Sequence, residues 1–207
     1  MDRRNLIAAF TGTAALAACR ASALAPDVRA DLYDCEGCEG ARERPAAAMA
    51  ATARIDRPGE PGERLDVTGR VLGLDGKPGR GVVLYAYHTN AEGLYAGGTP
   101  ETEWSRRHGR LRGWVKTGPD GVYRFETIKP APYPDRSLPA HIHLTVLEPG
   151  RRAYWIDDIV FDDDPLVDAK YRAARENRGG TGIVRLGRTA AGRLLATRHI
   201  LLEPHPA

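Results

Sequence analysis

Two histidines on one predicted strand are the first residues in this sequence that could do chemistry. His141 and His143 flank Ile142, and the apolar and β-branched residues 144–147 that follow predict a strand. Alternate side chains of a strand share a face, so both imidazoles are expected on one face and Ile142 on the other. Such a pair would supply half of a metal site. A half-buried strand with two polar positions facing water would explain the same pattern.

A tyrosine shortly before this pair adds a third candidate ligand. Tyr133 lies among prolines at positions 130, 132 and 134, which fix φ and exclude a helix. A tyrosine ligand must lose a phenolic proton with a pKa of about 10, so it suits a hard, highly charged ion. Two imidazoles and a phenolate are too hard a set for Cu(I) and atypical for Zn(II), and they therefore favour Fe(III).

A second tyrosine and several surrounding motifs extend the pattern in a fixed order. These motifs are Asn-Ala-Glu-Gly-Leu-Tyr ending at Tyr95, the Asp-Gly-x-Tyr-x-Phe-x-Thr-Ile-x-Pro run over 120–130, Tyr-Pro at 133–134, Pro-Ala-His-Ile-His over 139–143, and Phe-x-x-Asp-Pro-Leu over 161–166. Together they resemble the intradiol ring-cleavage dioxygenases, and the resemblance covers about residues 66–168. No single motif is as specific as the whole series.

The resemblance implies a complete metal site and a reaction. The expected ligands of one non-haem Fe(III) per chain are Tyr95, Tyr133, His141 and His143. The expected substrates are O2 and a catechol-like diol, whose ring is cleaved between the two hydroxyl-bearing carbons to a muconate-type product. Tyr133 is the ligand expected to leave the iron and take a proton as the diol binds. No organic cofactor is implied.

Two positions depart from the pattern of the family. Relatives often carry an arginine just before Pro-Ala-His, where this sequence has Leu138. Arg136 is the nearest arginine and is expected to serve the substrate instead, with a solvated loop charge as the alternative. The glutamine that relatives place before the Phe-x-x-Asp-Pro segment is Asp158 here. Both departures bear on the substrate and the rate more than on the iron.

The remaining pattern predicts an all-β fold over residues 63–207. Short apolar runs separated by Asp-Gly and Pro-Gly turns are typical of an antiparallel β-sandwich, with one short charged helix over 168–178. Tyr85 and Tyr87 are interpreted as packing residues of a strand, and His88 as a plain strand-end histidine, with a position behind a metal ligand or facing the substrate as the alternative. The arginine-rich stretch 96–112 is expected to be a polar loop that borders the pocket, where one arginine could hold a charged aromatic acid.

The first residues resemble an export signal. A basic pair and a short apolar run predict this signal over residues 1–18, and Leu-Ala-Ala-Cys ending at Cys19 resembles a bacterial lipoprotein box. Cys19 is therefore the lipidation candidate, while cleavage of an ordinary signal near 21–23 is the alternative. We expect a periplasmic or membrane-anchored protein, whose membrane contact is only through the lipid.

Residues 19–62 are rich in Ala, Pro, Gly and charge and are interpreted as an extended arm or linker. This arm contains a Cys-x-x-Cys pair, Cys35 and Cys38. A zinc site would need two more ligands, and none lie nearby in the sequence. Thioredoxin-like chemistry would need a surrounding βαβ pattern, which the sequence does not show. In an oxidising compartment the simplest interpretation is a local Cys35–Cys38 disulfide.

Composition limits the other classes of function. The chain has 207 residues and a formal net charge of +3, with no basic block interleaved with aromatics, so nucleic acid is an unexpected partner. A non-catalytic transthyretin-like sandwich and an iron-sensing lipoprotein are the alternatives to an enzyme. The four proposed ligands argue against a plain stalk module. The identity of the diol and the oligomeric state, including a homo-oligomer, stay open.

Overall fold

Two β-sheets form the body of the chain. A computed structural model describes residues 27–35 and 37–206. Its strands, in chain order, are β1 (Thr52–Arg54), β2 (Arg64–Leu72), β3 (Val83–His88), β4 (Arg112–Lys116), β5 (Val122–Ile128), β6 (His141–Leu147), β7 (Tyr154–Phe161), β8 (Ile183–Val184), β9 (Leu186–Arg188), β10 (Leu194–Thr197) and β11 (Ile200–Leu201). The first sheet has the order β1-β5-β2-β10-β9, with β11 also paired to β2, and the second has the order β4-β3-β6-β7-β8.

The core lies between the two sheets because alternate residues of each strand point inward. Val67 and Phe125 come from the first sheet, and Leu84, Ile142 and Ile156 come from the second. These buried side chains form one continuous apolar cluster. The all-β sandwich predicted from the sequence is confirmed.

The sequence pattern predicted only antiparallel strand pairs, but some pairs are parallel. The long strands β2–β5, β3–β4, β3–β6 and β6–β7 are antiparallel, whereas β1–β5, β2–β10, β2–β11 and β7–β8 are parallel. Each parallel pair includes a strand of two to four residues that arrives from elsewhere in the chain rather than through a hairpin. A hairpin-based reading of the sequence therefore misses them.

The N-terminal arm is packed against the sandwich. Strand β1 lies within the stretch predicted as arm, and its Thr-Ala-Arg sequence has no apolar alternation that would have revealed it. The short 3₁₀ helices Cys38–Arg42 and Ala46–Ala48 precede it. Trp114 Nε1 donates a hydrogen bond of 3.0 Å to the Gly40 carbonyl, which fixes the arm to the outer face of the second sheet.

The helices also differ from the prediction. Helix α1 (Glu103–His108) lies inside the segment predicted as a polar loop, and a capping box between Thr102 and Ser105 begins it. Helix α2 (Ala169–Ala173) is shorter than the predicted 168–178, with the Asp168 side chain capping its first turn. Within the described residues, neither α-helix approaches the length that a bilayer span requires. The predicted export signal and Cys19 lie outside the described residues.

Candidate metal centre

Four side-chain donor atoms from three segments converge on one point. Tyr95 Oη lies 2.9 Å from both Tyr133 Oη and His143 Nε2. His141 Nε2 lies 3.2 Å from both Tyr133 Oη and His143 Nε2. Two ligand atoms at right angles, each about 2.1 Å from a metal, are about 3.0 Å apart. The structure thus brings together all four ligands that the sequence predicted, at the spacing of a coordination shell.

The outer nitrogens of the two imidazoles fix which atoms face this point. His141 Nδ1 lies 2.7 Å from the Pro139 carbonyl, which can only accept, so Nδ1 carries the proton. His143 Nδ1 lies 3.0 Å from Asp158 Oδ1 and donates to that carboxylate. In the neutral rings both Nε2 atoms then present lone pairs toward each other. A cation between them removes that repulsion.

The chemistry of the donor set fits Fe(III). Burial, followed by the hydrogen bond to Tyr133, raises the pKa of Tyr95 above its ordinary value. This phenol therefore loses its proton only to a strongly charged cation. Fe(III) with two phenolates would keep one net positive charge, and the carboxylate of Asp158 behind His143 would balance it.

Two loops that carry the tyrosines are held together by close backbone packing. Gly93 has φ of 80°, and a Cβ at this position would lie 2.1 Å from the Pro132 carbonyl oxygen. The Asn90 carbonyl accepts a 3.1 Å hydrogen bond from the Ala131 amide, and Thr89 Oγ1 donates one of 2.7 Å to the Ala131 carbonyl. Gly93 is thus required where the loop of Tyr95 meets the loop of Tyr133.

Asp158 contacts the candidate metal centre through His143. Its carboxylate belongs to the group of potential ligands formed with His141 and His143. However, it contacts the Nδ1 side of the His143 ring, away from the phenols. Burial alone would raise the pKa of Asp158, but the neighbouring histidines and Arg198 hold it below its ordinary value. Asp158 is therefore an anion that orients His143.

Tyr87 and His108 form a stack of rings beside His143. The Tyr87 ring lies 4.4 Å from the His143 ring and 3.9 Å from the His108 ring, between centroids. His108 Nδ1 is 2.8 Å from Tyr85 Oη. Burial, followed by the charges of His143, Arg112 and Arg107, lowers the pKa of His108 to about 4. The sequence analysis did not predict that Tyr87 packs against His143. Tyr87 lies opposite His143 in the β3–β6 register, which places the two rings side by side.

A cavity of about 260 Å³ opens beside three of the four candidate ligands, Tyr95, Tyr133 and His143. Its lining consists of Tyr87, Tyr95, Arg107, His108, Tyr133 and His143. The predicted loop 96–112 therefore does border the pocket, through two residues of α1. This space lies where a small aromatic ligand could reach the metal position.

Arg136 does not line this cavity, contrary to its expected role. It is exposed, has φ of 52°, and its amide donates a 2.8 Å hydrogen bond to the Tyr133 carbonyl. Its side chain lines a different cavity, with Lys129 and Asp163 among the other lining residues. The tight turn after Tyr133 separates Arg136 from the site, which sequence proximity could not reveal.

Three other residues singled out in the sequence, His88, Cys35 and Cys38, have hydrogen-bond or disulfide partners. His88 is fully buried, with Nδ1 2.7 Å from the Thr89 carbonyl and Nε2 2.7 Å from Thr127 Oγ1. Cys35 and Cys38 form a disulfide with Cα atoms 5.6 Å apart. Cys35 also lines a second cavity of about 210 Å³, on whose wall Tyr87 and His143 also lie.

Comparison with known proteins places this chain among dioxygenases. The dioxygenase family model matches residues 41–179. Catechol 1,2-dioxygenase 1 of Acinetobacter lwoffii is 32% identical over 193 residues, which cover 76% of this chain and 61% of that protein. The protocatechuate 3,4-dioxygenase beta chain of Burkholderia cepacia is 35% identical over 116 residues, covering 53% of this chain and 49% of that one.

A solved structure agrees with these relatives. The dioxygenase domain of a dioxygenase–carbohydrate-binding protein fusion from Streptomyces sp. SirexAA-E superposes with a TM-score of 0.54 at 25% identity. The superposition covers 72% of this chain and 86% of that domain. The chain belongs to the intradiol dioxygenase family. It spans less than two thirds of the length of the two curated relatives, 61% and 49%.

Proposed function

We propose that this protein is an Fe(III)-dependent intradiol dioxygenase that acts on a catechol-like diol. The convergence of Tyr95, Tyr133, His141 and His143 beside an open cavity is the observation that carries this proposal. When bound, Fe(III) would supply Lewis acidity that favours loss of both hydroxyl protons from the diol. The alternative of a plain transthyretin-like stalk gives no reason for these four side chains to meet.

The residues of the site have separate roles in the proposed reaction. Tyr133 Oη borders the cavity and is the group placed to take a proton from an entering diol. His141 and His143 keep their Nδ1 protons on Pro139 and Asp158, which holds both Nε2 atoms available to the metal. Tyr87 packs against the His143 ring and limits how that ring can turn.

The overall reaction needs no external reductant. Cleavage breaks the carbon–carbon bond between the hydroxyl-bearing carbons, and each of these carbons gains one oxygen atom from O2. Both become carboxyl groups, so the ring-opened dicarboxylic acid contains all atoms of the diol and of O2. The diol itself supplies the electrons that reduce O2.

Oxygen uptake by the iron-loaded protein tests the proposal. Purified protein is loaded with iron and given catechol, methylcatechol and protocatechuate, with isotopically labelled O2 in a parallel sample. We expect oxygen consumption together with a muconate-type product that carries two labelled oxygens. Product with one labelled oxygen, or cleavage beside rather than between the hydroxyl-bearing carbons, would contradict an intradiol reaction.

An iron-binding protein without turnover is the second candidate, favoured by one observation. Leu138 stands where the family resemblance implies an arginine and is 45% exposed, and Arg136 lines another cavity. The site therefore lacks that arginine from this segment. Stoichiometric iron binding with no oxygen uptake on any diol of the panel would favour sensing or storage over catalysis.

We also propose that the protein is exported and held at a membrane by lipid on Cys19. The sequence pattern of residues 1–19 and the Cys35–Cys38 disulfide, which suits an oxidising compartment, support this proposal. Mass spectrometry of protein purified from membranes of an expressing bacterium tests it. A diacylglyceryl-modified Cys19 is expected, and an intact N-terminus in the cytosolic fraction would contradict it.

A further inference from the structure

A second cavity, of about 750 Å³, lies on the outer face of the second sheet, at the end away from the candidate metal centre. Val83 and Leu147, which pair in the β3–β6 register, form part of its apolar wall. The same register pairs Tyr87 with His143, four residues further along β3. Four residues of a strand span roughly 13 Å, and the two cavities share no lining residue, so they are separate sites.

The charged residues of this cavity are mostly basic. Its lining contains four cations and one carboxylate, namely Arg42, Arg80, Lys116, Arg151 and Glu148, and we call it the basic groove. The carboxylate is engaged by other residues, because Glu148 Oε1 lies 2.8 Å from both Tyr154 Oη and His205 Nε2. Among the described residues, none of the four cations forms a salt bridge. The basic groove therefore carries positive charge that no neighbouring acid balances.

The cations come from four separate segments and converge on the basic groove. These are the first 3₁₀ helix with Arg42, the loop before β3 with Arg80, the end of β4 with Lys116, and the β6–β7 turn with Arg151. Arg42 donates a 3.0 Å hydrogen bond to the Arg151 carbonyl, which joins two of these segments. The three arginines are exposed, as is Pro149 at the turn. Exposed cations around apolar residues suit a surface that is anionic outside and apolar beneath, as a membrane is.

The first described segment of the chain lies beside the basic groove. Tyr33 Oη is 2.6 Å from His205 Nδ1, and the same imidazole reaches Glu148 of the groove. The Arg152 guanidinium lies over the Tyr33 ring, 4.6 Å from its centroid. Residues 20–26 link Cys19 to the first described residue, and an extended chain of that length reaches at most about 29 Å. A lipid on Cys19 would thus hold this part of the molecule close to a membrane.

We propose that the basic groove binds the anionic headgroups of a membrane surface. The sequence analysis predicted membrane contact through the lipid alone, and this contact would be a second one. The inference goes beyond the proposed reaction and does not depend on iron. Each Lys or Arg close to an anionic surface adds attraction, and the groove collects four of them at one end of the sheet. In this orientation the cavity beside the metal centre lies away from the membrane, where a soluble substrate can reach it.

Co-sedimentation with lipid vesicles tests the inference. All proteins compared are full-length and carry Cys19→Ser, so no lipid is attached and the N-terminal residues contribute equally to each. The vesicles are phosphatidylcholine alone, or phosphatidylcholine and anionic phosphatidylglycerol in a two-to-one mixture. We expect Arg80→Gln with Arg151→Gln to weaken binding to the anionic vesicles roughly 25-fold, about fivefold for each cation, and to leave binding to the neutral vesicles unchanged. The difference should shrink as ionic strength rises.

Arg70→Gln with Arg188→Gln is the matched control. It removes the same two charges from exposed residues of the first sheet, on the other side of the sandwich. This control should bind the anionic vesicles as the unaltered surface does. An equal loss in the control and in the groove variant would assign the binding to net charge and overturn the inference. So would a groove variant that binds the anionic vesicles with undiminished affinity.

A soluble anion is the other source of the same headgroup chemistry. Calorimetry with glycerol phosphate measures whether the basic groove binds it without a membrane. Affinity for glycerol phosphate that the groove variant removes, combined with no preference for anionic vesicles, would assign the groove to a soluble ligand and overturn the membrane contact. Because no lipid is attached to the proteins compared, failure of the proposed lipidation would leave this test intact.

Discussion

At the scale of single residues, the candidate metal centre depends on the hydrogen-bond acceptors that hold its two histidines. Pro139 and Asp158 accept the Nδ1 protons of His141 and His143, so both rings present Nε2 to the same point. Asp158 adds a negative charge beside His143, where the family resemblance leads us to expect a neutral glutamine. This carboxylate strengthens His143 as a donor and favours the more highly charged state of a bound metal.

Replacement of Asp158 should weaken the binding of iron without unfolding the protein. In Asp158→Asn the amide keeps the shape of the side chain but loses the charge that His143 faces. We expect iron affinity to fall roughly 10- to 100-fold, as is typical for residues that orient metal ligands. Competition with a chelator measures it.

Asp163→Asn is the control for this replacement. Asp163 is exposed and pairs with Lys129 at 3.2 Å, on the surface rather than at His143. Its replacement should leave iron affinity unchanged. Equal affinities for Asp158→Asn and the wild type would show that the contact to His143 has no influence on the metal.

At the scale of elements, two loops must lie in backbone contact for the tyrosines to meet. Gly93 and Pro132 supply the point of closest approach, because a Cβ on residue 93 would lie 2.1 Å from the Pro132 oxygen. Strand β6 contributes the histidines, and its register with β3 adds Tyr87 opposite His143. The centre is therefore assembled from local geometry on a sheet and from one tertiary contact between loops.

Gly93→Ala should separate these loops and reduce iron binding. The added methyl group meets a carbonyl oxygen, and φ of 80° is unfavourable for alanine. We expect a loss of more than about 1 kcal/mol in the free energy of unfolding, together with weaker iron retention. Urea denaturation and iron content after dialysis provide the two measurements.

Gly76→Ala separates backbone strain from the loop contact. Gly76 also has positive φ, 76°, but nothing lies within 4 Å of a Cβ added there. This variant should lose about 1 kcal/mol of stability through strain and keep its iron. If both variants retained iron equally, the approach of the two loops would not be what positions the tyrosines.

At the scale of the whole molecule, the N-terminal segment is part of the fold around the site. The fully buried Arg178 donates a 3.1 Å hydrogen bond to Asp31, and Trp155 Nε1 donates one of 3.0 Å to the Asp34 carbonyl. Gly37 packs so closely on His108 that a Cβ would lie 2.8 Å from its ring nitrogen. The disulfide loop thus supports the ring stack that ends at His143.

The buried His88 should make the stability of the iron-free protein depend on pH. Burial lowers the pKa of His88 to about 4, below the ordinary value of about 6.5, so the unfolded chain binds a proton that the folded chain does not. The free energy of unfolding is therefore unaffected by His88 above pH 6.5. It falls as the pH drops toward 4, by up to about 3 kcal/mol, because protonation of His88 favours the unfolded chain. Urea unfolding across this range measures it.

His88→Gln tests the assignment of this effect. The variant removes the titrating group at a buried position, so stability between pH 4 and 6.5 should vary less steeply than in the wild type. A lower stability at all pH values is also expected, since the hydrogen bonds to Thr89 and Thr127 are disturbed. An unchanged slope would assign the pH dependence to other groups.

The sequence predicted what local patterns and family motifs encode. The histidine pair, Tyr95 and Tyr133 were all recognisable, because strand alternation and ordered motifs are written along the chain. Arg136 was assigned to the substrate from sequence proximity, but a tight turn directs it to another cavity. Arg107 was one of several loop arginines, and its place in the cavity lining depends on helix α1, which the sequence analysis did not predict.

Other features depend on contacts between distant segments. Strand β1 has no apolar alternation and exists because it pairs with β5. The parallel pairings arise in the same way, from short strands that reach the sheets without a hairpin. Helix α1 did carry a local signal in Thr102 and Ser105, which the density of charge around it obscured.

The visible absorption of the iron-loaded protein tests the central claim most directly. Tyrosinate bound to Fe(III) gives a charge-transfer band, so the wild type should be red to burgundy and Tyr171→Phe, altered on the separate helix α2, should keep that colour. Tyr95→Phe and Tyr133→Phe should each weaken or shift the band. A wild-type protein that binds one iron per chain and is colourless would contradict coordination by these two tyrosines. An absorption band that stays as in the wild type in both Tyr95→Phe and Tyr133→Phe would contradict it too.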